Sequence, residues 1–82
     1  MMELKDTVEM MLSSDYKERF KAEYWQLKIR HDKLQKMVDN WDELDFTPTC
    51  TYGTYEYQLW AMEDYMTALE HRAKQEEVEL DG

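Results

Sequence analysis

Two glycines, one proline and one cysteine are all that 82 residues hold of the types that most often shape turns and crosslinks. So few turn formers leave little room for strands joined by tight hairpins, and little for a glycine-rich loop that cradles phosphate on bare amides. The lone Cys50 cannot form an internal disulfide, and with His31 and His71 far apart in the chain it makes a poor metal set. No metal and no cofactor is expected. A run of about 18 apolar residues is missing, and so is the charged, apolar and small-residue succession of a secretory signal. Neither a membrane span nor a membrane partner is expected, and the chain reads as cytoplasmic. A glycine-framed serine nucleophile is also missing, and nothing near Cys50 favours a thiolate. No enzyme is expected.

What the chain does have is charge, unevenly placed. Nineteen acids against ten bases give a formal −9. Residues 17–36 nevertheless hold seven bases (Lys17, Arg19, Lys21, Lys28, Arg30, Lys33 and Lys36) against Glu18, Glu23 and Asp32. Residues 39–82 hold Arg72 and Lys74 against twelve acids. The acidic whole repels long nucleic acid, whose affinity rests on phosphate neutralisation. A small anion in a local basic pocket remains possible, because physiological salt confines each field to about 8 Å.

Apolar spacing supplies the architecture. Tyr16, Phe20, Tyr24, Leu27, His31, Leu34, Val38 and Trp41 recur every three or four residues, which predicts an amphipathic helix over 15–40, with Asp15 and Glu18 as a capping-box-like start and Ser13 and Ser14 as alternative caps. Residues 41–51, through Pro48, read as a connection, since proline disfavours helix in the residue before it. Tyr55, Leu59, Met62, Met66, Leu69 and Ala73 repeat the pattern and predict a second long helix over 52–78. In the leader, residues 1–13, Leu4, Val8, Met11 and Leu12 share one side of a short amphipathic helix. The expected fold is all-α: one domain over 1–82, an antiparallel hairpin of two long helices with a short N-terminal helix.

These helices carry more apolar surface than one hairpin hides. Trp25 and Ile29 lie one turn apart, off the main stripe of the first long helix. Trp60, Ala61, Tyr65 and Ala68 widen the face of the second. Each large aromatic left wet forgoes about 2–3 kcal/mol of burial. A symmetric homo-oligomer joined through Trp25, Ile29, Trp60 and Tyr65 is therefore expected. The alternative is that the N-terminal helix folds back over Trp25 and Ile29.

For binding chemistry the start of the first long helix stands out. Tyr16 beside Lys17 and Arg19 suits a base plus a phosphate: the ring stacks while the cations and free amides take the charge. Lys33 and Lys36 occupy the polar side further along. The competing reading is that these lysines only solubilise the helix and pair with Asp32 or a neighbour's acids. His31, on the apolar stripe, reads as a core histidine with a satisfied hydrogen bond rather than a ligand.

The framework "ERFKAEYWQLKIRHDKLQKMV", a loop, then "QLWAMEDYMTALEHRA" resembles a family of small phage-encoded helical proteins. That family is related to a crAss-like phage protein and includes the second family of anti-CBASS sponges. The matching residues are Glu18, Arg19, Glu23, Leu27, Lys33, Leu34 and Val38, then Gln58, Leu59, Met62, Tyr65, Leu69 and Arg72, spanning about 15–73. The resemblance implies a compact hexamer in the host bacterial cytoplasm that sequesters cyclic di- or trinucleotides without cleaving them. It implies that Tyr16 and Lys33 hold a cyclic dinucleotide between protomers, with Arg72 structural or facing a trinucleotide pocket. Arg19 and Lys36 join the site on geometric grounds alone. Two other functions compete: an acidic, anti-CRISPR-like inhibitor that binds a host defence enzyme through residues 39–82, and a purely structural oligomeric phage protein.

Overall fold

The first long helix, α2, starts at an aspartate cap. Asp15 has extended backbone, and its carboxylate accepts the Lys17 amide at 3.0 Å, satisfying one of the free donors at the helix start. Glu18 does not close a box, because the Asp15 amide donates to Ser13 Oγ instead, at 3.1 Å. α2 spans Tyr16–Asp39 and ends at Asn40, whose side chain donates to the Lys36 carbonyl at 2.8 Å. A single 3-10 turn, Trp41–Glu43, opens the connection. Thr51 then caps α3, Tyr52–Glu76, by accepting the Thr54 amide at 3.2 Å. The leader is a 3-10 turn, Leu4–Asp6, running into a short helix α1, Thr7–Met11. This computed structural model describes residues 2–80, and the described residues are helical without strands. Among them no helix is long and apolar enough to cross a membrane.

α2 and α3 pack antiparallel. Tyr24 Oη donates to Glu70 at 2.8 Å, and His31 Nε2 meets Glu63 at the same distance, so partners on α3 fall as positions on α2 rise. The 42 Å long axis of the molecule is little more than the about 36 Å of a 24-residue helix. The core is strongest at the end where α2 begins. There Phe20, Tyr24, Leu69, Ala73 and Val78 are buried together, with Trp25, Leu27, Met66 and Leu80 around them. Burial of Tyr24, with the Glu70 hydrogen bond and charge, pushes its phenol up to about 12. At the other end Trp41 packs edge-on against Tyr52, with ring centroids 5.3 Å apart, and more obliquely against Tyr55, so the connection is held by its own aromatics.

α3 ends in a Schellman turn. Glu77 has φ 57° and ψ 44°, and the Val78 amide reaches the Ala73 carbonyl at 2.9 Å. The turn drives Val78 into the core and sends the tail across α2, where Trp25 Nε1 donates to the Leu80 carbonyl at 2.7 Å. Glu77 is a non-glycine residue in the left-handed region, a conformation costing about 1–2 kcal/mol for side chains with a Cβ. Glu77→Gly is expected to raise stability by about 1 kcal/mol, read as a higher denaturant midpoint at unchanged slope.

The leader packs against α2 through a face turned partly away from its apolar stripe, of which only Leu4 is half-buried. Val8, Met11 and Leu12 are exposed, Leu12 to 81%, and the fully buried residue is Thr7. The Thr7 hydroxyl donates to the Leu4 carbonyl at 2.7 Å and accepts from Gln26 Nε2 at 3.0 Å. Fully buried Ala22 lies one turn before Gln26 on the same side of α2. Five residues of helix can bury only about one turn's face, and two small residues at the crossing let the backbones approach closely. The choice thus falls to a satisfied hydroxyl between small side chains, not to the leader's apolar stripe.

That packing covers part of the surface from which an oligomer was expected. Trp25 and Ile29 are not left wet. The leader and the tail partly cover them within the same chain, which is the alternative weighed from the sequence. Besides the leader's Val8, Met11 and Leu12, bare apolar surface remains on α3, which is packed on one side only. Tyr57 is 72% exposed and Trp60 57%, with Ala61 and Ala68 exposed along the same helix. Tyr65 is half-exposed too, but its hydroxyl donates to Glu23 across the hairpin.

Candidate functional site

The basic residues of α2 divide by what they touch. Lys21 pairs with Glu18 at 3.8 Å and Lys28 with Asp32 at 3.7 Å. Among the described residues, Lys17, Arg30, Lys33 and Lys36 have no carboxylate partner within ion-pair distance. Arg19 spends a guanidinium N–H on the Ser13 carbonyl at 2.7 Å, which ties the loop before α2 to its first turn. A chain of net charge −9 thus keeps several cations unneutralised on one helix.

Lys33 and Lys36 look into a groove between the leader and α2. It holds about 530 Å³, with Met2, Leu4 and Ile29 as apolar lining and Lys5, Lys33 and Lys36 as cations. Its acids are Glu3, which pairs with Lys5 at 3.4 Å, and Asp32. A second hollow of about 690 Å³ shares Met2, Ile29 and Asp32 with the first and extends past Met10 to Trp25. The two hollows adjoin at these shared residues. Sequence reasoning singled out the two lysines but missed the leader's part, because no periodic signal marks which α2 face a five-residue helix will choose.

Asp32 is held from two sides. Besides Lys28, it receives His31 Nδ1 at 3.1 Å. His31 spans α2 and α3 through Glu63, and its side chain is only 12% exposed. It is the satisfied histidine the stripe implied. Burial alone lowers the basicity of the imidazole, but its hydrogen bonds to Glu63 and Asp32 and their negative charge outweigh that, and its pKa lies above the usual 6.5. A folded pKa above the unfolded one adds stability that is fully present below the unfolded value and is lost as pH rises through the folded one. Relative to His31→Gln, the wild-type melting temperature is expected to gain as pH falls from 8 to 6. Parallel curves for the two proteins would show that the imidazole does not bridge as a cation.

The expected site residues fall into two groups. Tyr16, 47% exposed, and Arg19 stand at the start of α2. Arg72 lies at the same end, its guanidinium 4.6 Å from the centre of the Phe20 ring and its Nε 2.9 Å from Glu76. Arg72 is therefore occupied as a cover over the core, not a free cation. Lys33 and Lys36 stand at the far end. Tyr16 and Lys33 are seventeen residues apart on one continuous helix, about 25 Å by helical rise. The structure does not bring them together within one chain.

The fold and its groove define a small all-helical hairpin protein that presents lysines from two elements to one hollow. The chain belongs to the Sequestin family, whose sequence profile matches residues 14–75. No curated protein and no solved structure matches it. The matched stretch covers α2, the connection and nearly all of α3, and leaves the leader outside.

Proposed function

We propose that this chain is a phage-encoded sponge that sequesters cyclic di- or trinucleotide immune signals, without cleaving them, in pockets completed between copies of itself. The observation that carries this reading is the split along α2. An exposed aromatic with a cation sits at one end, and at the other two lysines without a carboxylate partner among the described residues, about 25 Å apart. A base and a phosphate of one small ligand cannot reach both ends of a single chain. Two copies, packed so that one presents Tyr16 and Arg19 to the other's Lys33 and Lys36, bring the pairs to one ligand. The uncovered face of α3, with Tyr57 and Trp60 outward, supplies apolar surface for such an assembly, and membership of a family named for sequestering agrees with capture. Hexameric assembly, the host bacterial cytoplasm and the anti-CBASS role come from the family resemblance.

Calorimetry with a panel of cyclic di- and trinucleotides, alongside light scattering, tests the reading. Binding to an oligomer supports it, and silence toward the whole panel overturns it. Mixing tests the split site: Tyr16→Ala and Lys33→Ala proteins, each impaired alone, should regain capture when co-refolded, since mixed assemblies rebuild pockets with one intact residue from each chain.

A second reading rests on the same exposed aromatics. Tyr57 and Trp60 lie in the strongly acidic half of the chain, a combination suited to the basic channel of a host enzyme. Salt-sensitive binding to such an enzyme, with indifference to cyclic nucleotides, would favour an acidic inhibitor instead.

A further inference from the structure

We infer that the leader forms a wall of the ligand site, with Leu4 and Lys5 closing the Lys33–Lys36 groove over a phosphate and the flat or apolar group attached to it. This rests on the sequestering reading for the identity of the ligand; the lining of the groove comes from one chain, and in that reading a second copy adds Tyr16 and Arg19 at its mouth. Its volume, about 530 Å³, is in the range of small-molecule pockets. The chemistry is divided as a nucleotide requires: Leu4 and Ile29 give an apolar surface for a base, and the cations converge from two separate elements. The acids within the groove are engaged. Asp32 is held by Lys28 and His31. Glu3 forms a capping box with Asp6, and its pair with Lys5 joins side chains 63% and 80% exposed, a contact that a phosphate can replace at little cost.

The placement of the leader has a further consequence. Buried Thr7, bonded to Gln26, anchors the leader on α2 and so fixes where Leu4 and Lys5 stand. The leader also lies outside the stretch matched by the family profile, residues 14–75. Ligand choice can therefore be set by an element outside the matched stretch. Lys5 is the specificity-determining residue of this arrangement.

The test is amide chemical-shift mapping of the full chain with a cyclic dinucleotide and with inorganic pyrophosphate, repeated on Lys5→Glu. Lys74→Glu, the same charge change on α3, serves as the control. The expected result is shifts at Leu4, Lys5, Ile29, Lys33 and Lys36, with affinity at least about fivefold weaker in Lys5→Glu and little altered in Lys74→Glu. If the cyclic dinucleotide binds while the leader amides stay still and Lys5→Glu binds as the wild type does, the leader is not a wall, and sequestering stands without it. If pyrophosphate alone gives the leader shifts with Lys5-dependent affinity, the groove stands as an anion site and the cyclic-nucleotide reading falls. If neither probe moves these amides, the groove proposal is overturned as well.

Discussion

Replacing Phe20 with alanine will cost about 3–5 kcal/mol, the range for deleting a buried aromatic whose site cannot collapse. Phe20 sits where three elements meet: the first turns of α2, the last turns of α3 and the tail that Val78 pulls into the core. Arg72 lies over its ring, so truncation also removes the surface on which that guanidinium rests. The cavity would be bounded by helices held apart by Tyr24–Glu70 and Tyr65–Glu23, which resist inward movement. A chain of this size has a total stability of roughly 4–12 kcal/mol, so the variant will be near the edge of folding. Chemical denaturation of the wild type, Phe20→Ala and Phe20→Leu checks it. Leucine should restore most of the loss, and a loss below about 1 kcal/mol in the alanine variant would mean that the core does not lie here.

The second large effect is on capture. Lys33→Glu is expected to weaken binding of the responding cyclic nucleotide by about a hundredfold while leaving the melting temperature within a degree or two. A charge-assisted hydrogen bond to phosphate is worth about 1.5–3 kcal/mol, tenfold to a hundredfold in affinity, and reversing the charge adds repulsion. Stability should hold because Lys33 is exposed and makes no ion pair among the described residues. Arg30→Glu is the matched control: it makes the same change in charge on α2, but Arg30 does not line the groove. A general electrostatic effect would weaken both variants alike, whereas a site effect separates them by at least about tenfold. Calorimetry on the three proteins at one ionic strength decides between these outcomes.

Periodicity was the legible part of the fold because it is a local property. A stripe from Phe20 to Val38 must face something apolar, and a matching stripe from Leu59 to Ala73, after a connection containing Pro48, is its nearest partner. The caps at Asp15 and Thr51 follow from side chains that reach their own helix amides. The leader's short helix was legible, but not the face it buries. In five residues the stripe of Val8, Met11 and Leu12 offers too little area to dictate orientation, and Thr7 won through hydrogen bonds to Leu4 and to Gln26, nineteen residues away. The tail was equally hidden: the left-handed Glu77 carries none of the usual glycine signal, yet its turn places Leu80 over Trp25. Of the candidate site, the residue types were legible, while their grouping into two distant ends and the engagement of Arg72 were not.

The sequence alone determined that this is a helical hairpin with a basic first helix in an acidic chain, because apolar spacing and local charge act between near neighbours along a rod. Only the tertiary structure decided which cations remain unpaired, which tryptophan is covered and which is bare, and that the leader turns a flat helix face into a groove. Those outcomes depend on contacts between segments far apart in the chain. Small differences in close packing and hydrogen bonding settle them, and no local pattern records such differences.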